Sequence, residues 1–170
     1  GFCTPLRETD RGRYISTLGN INFAGAYLTL ALPVAAGAML TEERAGIRAL
    51  LAAVCVTGLW AAMAVRSECA VLGVGAALAA LPLLTKKSPD ALRRYPLLLT
   101  GTALSLLVYR AVVYDFGERL SSLGRYLSEP AVTLPLAALG LAAYALLRRR
   151  SERTLERVRR VYAGVLLAAL

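Results

Sequence analysis

The chain has no histidine, few charged residues and no paired cysteine motif, and each shortage closes a class of function. Without histidine the commonest general base and the commonest metal ligand are both missing. The three cysteines, Cys3, Cys55 and Cys69, form no CxxC pair, and two of them lie in apolar runs, where a thiol behaves as a small hydrophobe. No disulfide framework, zinc site or other cofactor is therefore expected. Charged residues make up only 18% of the 170 positions while 57% are apolar, which excludes intrinsic disorder and argues against a water-soluble enzyme. A charged segment followed by a short apolar core and a cleavage site is not seen at the start, so no secretory signal peptide is expected. The opening Gly1-Phe2-Cys3 and the apolar close at 161–170 lead us to expect an internal piece of a longer protein.

What the chain does contain is apolar runs of membrane-crossing length. A hydrocarbon core of about 30 Å needs about 20 mostly apolar residues in a helix. Such runs are expected at 21–40, 47–65, 68–85, 96–114 and 130–147, with a sixth beginning at 158–170. Backbone groups inside a bilayer must bond within their own segment, so these runs predict helices. The expected fold is all-α: one polytopic bundle with five full spans and the start of a sixth. The second and third runs read as a tight pair, and Pro96 and Pro130 read as helix-opening prolines. Small residues four apart, such as Ala31 and Ala35 or Gly75 and Ala79, permit close helix approach but are too common in alanine-rich runs to discriminate.

The net charge of +9 would prompt a nucleic-acid reading in a soluble protein. Here the basic residues are confined between apolar runs, with no continuous basic face, and no nucleic-acid partner is expected. Of the 20 basic residues, Arg7, Arg11, Arg13, Arg66, Arg110, Arg119 and Arg125 fall on one side of the alternating topology. The other thirteen are Arg44, Arg48, Lys86, Lys87, Arg93, Arg94 and the seven arginines of 148–160. The positive-inside rule places that richer side in the cytoplasm and the amino-terminal segment outside. The loops 86–94 and 148–160 then read as topology-setting basic loops in a chain whose partners include membrane lipids, an anionic-lipid or nucleic-acid patch being the alternative reading of 148–160.

The least ordinary stretch is 13–28, Arg13-Tyr-Ile-Ser-Thr-Leu-Gly19-Asn20-Ile-Asn22-Phe-Ala-Gly-Ala-Tyr27-Leu28, at the entry to the first run. Asn20 suits a helix N-cap and Gly19 a preceding turn. Capping explains neither Asn22 nor Arg13. The stretch resembles the outer helix-end motif of the bacterial O-antigen ligase and O-antigen polymerase family of membrane glycosyltransferases. Arg13, Thr17, Gly19, Asn20, Asn22, Phe23, Ala24, Tyr27 and Leu28 fall in register with it. Ser16 replaces its glycine, Leu18 its aromatic residue and Ile21 its proline. A second family landmark, Ser-Arg before a small residue, has a partial echo at Ser67-Glu68-Cys69-Ala70, with glutamate in place of arginine.

The resemblance implies transfer of a glycan from an undecaprenyl-diphosphate carrier to a glycan, lipid or protein acceptor. It implies the outer face of the bacterial cytoplasmic membrane and cell-envelope or lipopolysaccharide biosynthesis, without a metal. The leaving diphosphate is best stabilised by guanidinium, which presents paired N–H donors, and Arg13 is the candidate. Asn20 and Asn22 are candidate substrate-binding neighbours. Arg110, after a long uncharged run, is a further candidate because a charge at membrane depth is costly unless paired or facing a polar cavity. Its structural alternative is snorkelling or pairing with Asp115 or Glu118. The family's presumed catalytic histidine has no counterpart, so no catalytic residue is assigned, and the chain alone is expected to lack transferase activity. Two other readings stay open: a multi-pass transporter or flippase, in which Asn20, Asn22 and Arg110 line a path, and a non-catalytic membrane assembly protein.

Overall fold

Apolar runs leave their backbone groups only each other to bond, and in the computed structural model every described apolar run is helical. The structure describes residues 21–85, 88–112 and 121–168, with the backbone alone for Ile21 and Asn22. Among these residues there are seven helices and no strand: α1 (Ile21–Thr41), α2 (Ala45–Ala64), α3 (Glu68–Leu84), α4 (Pro89–Val112), α5 (Ser122–Leu127), α6 (Pro130–Leu147) and α7 (Glu152–Ala168). Four of them, α1, α2, α4 and α6, are long and apolar enough to cross a membrane. The chain is an all-α membrane protein.

Two helix starts differ from the sequence reading, both for local capping reasons. The fourth helix begins at Pro89, not Pro96, because Ser88 accepts a hydrogen bond from the Ala91 N–H (3.2 Å) and Pro89 and Asp90 fill the first turn. Serine, proline and aspartate in that order satisfy the free amides and complement the positive end of the helix dipole. Pro96 lies inside α4. The last helix begins at Glu152 and so absorbs much of the basic stretch expected as a loop. The Ser151 carbonyl accepts from the Thr154 and Leu155 amides, Glu152 sits in the first turn, and Leu155 is fully buried. The resulting α7 is amphipathic, charged over 152–160 and apolar over 161–168. The third helix is apolar but, at 17 residues, about 25 Å long, somewhat short of a hydrocarbon core.

The first helix is the hub. α2 and α3 both pack on α1 far more than on each other, so the expected tight pairing of the second and third runs is not what the fold uses. Their connection is a short turn at Val65-Arg66-Ser67 in which Arg66 takes a left-handed φ of 59°, a conformation uncommon outside glycine. Close approach to α1 depends on small residues: a Cβ on Gly73 would lie 2.6 Å from the Thr29 Cγ2, and one on Gly58 2.6 Å from the Leu32 Cδ2. Gly75, by contrast, faces open space. α4 packs most extensively on α6, with Gly140 against Thr100 and the Pro96 carbonyl. Thr100 Oγ1 donates to the Pro96 carbonyl at 3.0 Å and also lies 3.3 Å from the Ala137 carbonyl.

At the end of the bundle where α1, α3 and α6 finish, arginines occupy the terminal carbonyls. Arg94 donates to the carbonyls of Leu40 (3.2 Å) and Glu42 (2.7 Å) at the close of α1. Arg93 reaches the Arg150 carbonyl beyond α6 (3.1 Å) and pairs with Asp90 (2.7 Å), while Arg159 reaches the Thr85 carbonyl at the end of α3 (3.4 Å). Cations placed there satisfy orphan acceptors and complement the negative ends of three helix dipoles. The basic residues at this end thus have a structural role.

Candidate functional site

The opposite end gathers the start of α1, the turn before α3, the end of α4, all of α5 and the start of α6. Gly25 permits the first contact: a Cβ there would lie 2.9 Å from the Ala70 Cβ and 3.7 Å from the Ser67 Oγ. Thr29, one turn further on, faces Gly73 and donates its hydroxyl to the Gly25 carbonyl at 2.9 Å. The described part of the 13–28 stretch therefore lies against the Ser67 to Gly73 segment. Ser67 is the N-cap of α3, its Oγ accepting from the Ala70 N–H at 3.4 Å, so its hydroxyl oxygen is directed along its own helix.

The short α5 ties this corner to the rest. Its N-cap Ser121 accepts from the Gly124 N–H, and Ser122 donates to the Glu68 carboxylate at the start of α3. Gly124 lies against Met63, where a Cβ would come 3.0 Å from the methyl carbon. On the other side Arg110 donates to Glu129 at 2.8 Å and to the Arg125 carbonyl at 3.3 Å. Ser128, fully buried, donates to the same Arg125 carbonyl, and Thr133 to the Glu129 carbonyl. Below this polar layer the Trp60 indole N–H bonds the Ser105 hydroxyl oxygen (2.9 Å), and its ring meets Tyr109 edge-on at 5.6 Å. Aromatic and polar contacts together lock α2 to α4 at this end.

Of the four residues singled out by sequence, Arg13 and Asn20 lie outside the described residues, and of Asn22 only the backbone is described, at the start of α1. Arg110 is placed, and its carboxylate partner is Glu129; Asp115 and Glu118 lie outside the described residues. Phe23 and Tyr27 of the motif point away from the bundle, 65% and 63% exposed, on a face that continues through Leu30 and Val34. Sequence reasoning missed Glu129. Its signal was available: an acid directly before the helix-opening Pro130 sits at the N-cap position, a short connection away from the end of a neighbouring span.

No family model, curated protein or solved structure matches the chain. Function therefore rests on the residues alone. The corner can bind anions only through what it leaves unneutralised, and Arg110 already faces one carboxylate. Chemically it offers the Ser122 hydroxyl, the arginines Arg66, Arg110 and Arg125, two carboxylates at Glu68 and Glu129, and backbone carbonyls, whereas Ser67 and Ser128 are buried with their hydroxyls engaged inside the fold. That inventory suits holding polar headgroups or sugars by hydrogen bonding.

Proposed function

We propose that this chain is part of a bacterial membrane glycosyltransferase of the O-antigen ligase or polymerase type, which moves a glycan from an undecaprenyl-diphosphate carrier to an acceptor at the outer face of the cytoplasmic membrane. One observation carries the reading. The two stretches that resemble family landmarks, 13–28 and the segment from Ser67, are separated by a whole helix in sequence, yet Gly25 rests on Ser67 and Ala70. In this reading α3 and α7 are embedded as well, making five spans and the start of a sixth, with the α1 amino terminus outward. Arg13 neutralises the departing diphosphate, Asn20 and Asn22 hold polar groups beside it, and Arg110 belongs to the wall of the site. The general base, which histidine cannot supply here, comes from outside these residues.

The test is glycan transfer by the parent protein in cells lacking its own copy, read as glycosylated product at equal membrane abundance. Arg13→Ala should abolish transfer. Arg13→Lys should remain poor, because an ammonium presents a point charge where the diphosphate needs a planar fork of donors. Normal transfer by Arg13→Ala would remove the diphosphate role and, with it, the reading.

A further inference from the structure

The second helix packs along α1, but against α4 it is locked at one end only. Its buried residues are Ala62 and Met63, near the Trp60–Ser105 lock, whereas nothing between Ala45 and Ala61 is buried. Between the unlocked length of α2 and α4 lies a cavity of about 600 Å³. Ala49 and Ala52 on α2 and Gly101 on α4 make room for it, and Leu59 and Ser105 line its far end. Its other end is lined by Arg48 and Arg94. A volume of this size falls within the range that small-ligand sites occupy, roughly 300–1,000 Å³.

The two ends differ in chemistry and the length between them is diagnostic. From Arg48 to Leu59 along α2, and from Arg94 to Ser105 along α4, the rise is about 16 Å at about 1.5 Å per residue. Half of a hydrocarbon core is about 15 Å. The cavity is thus one leaflet deep, apolar along its walls and cationic at the end that carries most of the chain's arginines. Arg94 uses one nitrogen for the carbonyls of Leu40 and Glu42. The Arg48 guanidinium makes no hydrogen bond or ion pair with any described residue. Of the two acids in the turn before α2, Glu42 has its carboxylate directed onto the Arg44 N–H at 2.9 Å, and Glu43 makes no ion pair with Arg48. An unpaired guanidinium at the mouth of an apolar, membrane-facing slot calls for an anionic partner with a hydrocarbon tail.

We infer that the slot between α2 and α4 binds an anionic glycerophospholipid from the leaflet at the arginine-rich end, its phosphate between Arg48 and Arg94 and one acyl chain running to Leu59 and Ser105. The site opens at the end of α2 opposite the corner assigned to glycan transfer and stands independently of that assignment. Occupancy would wedge α2 apart from α4 at the basic end while the Trp60 lock holds the other end closed.

Trp60, the single tryptophan, sits beside the far end of the slot and reports on the tail. The chain is reconstituted in phosphatidylcholine nanodiscs carrying a small, equal fraction of phosphatidylglycerol or phosphatidylcholine spin-labelled near the acyl terminus, and Trp60 quenching is compared. Labelled phosphatidylglycerol should quench at least about threefold more than labelled phosphatidylcholine, and unlabelled phosphatidylglycerol should reverse the excess. Arg48→Gln should bring the two lipids level, and Ala52→Phe, which fills the slot, should remove the excess without altering the Trp60 emission maximum in unlabelled discs. Equal quenching by the two lipids in the unmodified chain, or an excess that unlabelled phosphatidylglycerol fails to reverse, would overturn the inference. So would an excess that survives Arg48→Gln. The first two comparisons need no variant, so the inference stands or falls even where a substitution prevents folding.

Discussion

Gly140→Ala is the sharpest test of how α4 and α6 are held together. A Cβ at position 140 would lie 2.9 Å from the Pro96 carbonyl oxygen and 3.3 Å from the Thr100 amide nitrogen, and closer still to the Thr100 hydroxyl. Rotating that hydroxyl away gives little relief, because it is held by the Pro96 carbonyl and the β-branched side chain would replace it with a methyl. The Pro96 carbonyl is main chain and cannot rotate at all. Relief therefore requires the two helices to move apart along their most extensive interface. Overpacking of this kind costs about 1–3 kcal/mol. Replacing a helical glycine by alanine regains up to about 1 kcal/mol in propensity. The net expectation is a loss of about 1–2 kcal/mol, read as a lower midpoint in an SDS titration of the micellar protein followed by Trp60 emission. Gly75→Ala is the control, since nothing lies within 4 Å of its added methyl, and it should be neutral or stabilising. Thr100→Ala in the Gly140→Ala background should recover only part of the loss, because the carbonyl remains. If Gly140→Ala matched or exceeded the unmodified protein while Gly75→Ala did the same, close packing at Gly140 would have no energetic weight and the reasoning would fail.

Two further expectations concern the arginines. Arg94→Gln removes charge-assisted hydrogen bonds to the Leu40 and Glu42 carbonyls and should cost about 1.5–3 kcal/mol; hydrogen exchange should then accelerate in the last turn of α1 ahead of the rest of that helix, and uniform exchange along α1 would count against a capping role. At the other end, the Arg110–Glu129 pair is partly exposed, so breaking it by Arg110→Glu should cost only about 1 kcal/mol or less, with recovery in the swapped Arg110→Glu, Glu129→Arg protein. Under the proposed glycan-transfer reading the swap separates two roles: a purely structural Arg110 regains transfer along with stability, whereas one that touches substrate regains stability alone.

The candidate site was only partly legible in the sequence. The 13–28 stretch stood out in the sequence because it is local, a run of fixed spacing beside a helix start, and residues 13–20 of it lie outside the described ones. Arg110 was legible as a cation at the end of an apolar run, since charge near membrane depth stands out by cost alone. Its partner was not: Glu129 lies beyond α5, and only the fold of that short helix brings its carboxylate to 2.8 Å. The slot between α2 and α4 was invisible for a related reason. Alanines and a glycine spaced along two helices look like any small-residue pattern until it is known what they face, while Trp60, Tyr109 and Met63 cluster at one end of the α2–α4 contact.

By itself the sequence determined the all-α class, the cores of the four described helices long and apolar enough to cross a membrane, and the clustering of cations between apolar runs. Those properties follow from length, composition and the need of each backbone group for a partner within its own segment, and none requires knowing a neighbour. Helix starts were local as well, and Ser88-Pro89-Asp90 and Ser151-Glu152 marked them in residues that the apolar pattern overrode. Only the tertiary structure decided that α1 is the hub, that α4 chooses α6, and that Arg93, Arg94 and Arg159 serve carbonyls on other helices. Apolar surfaces attract without direction, so partner choice falls to shape, to which glycine meets which side chain and which terminal carbonyl lies within an arginine's reach.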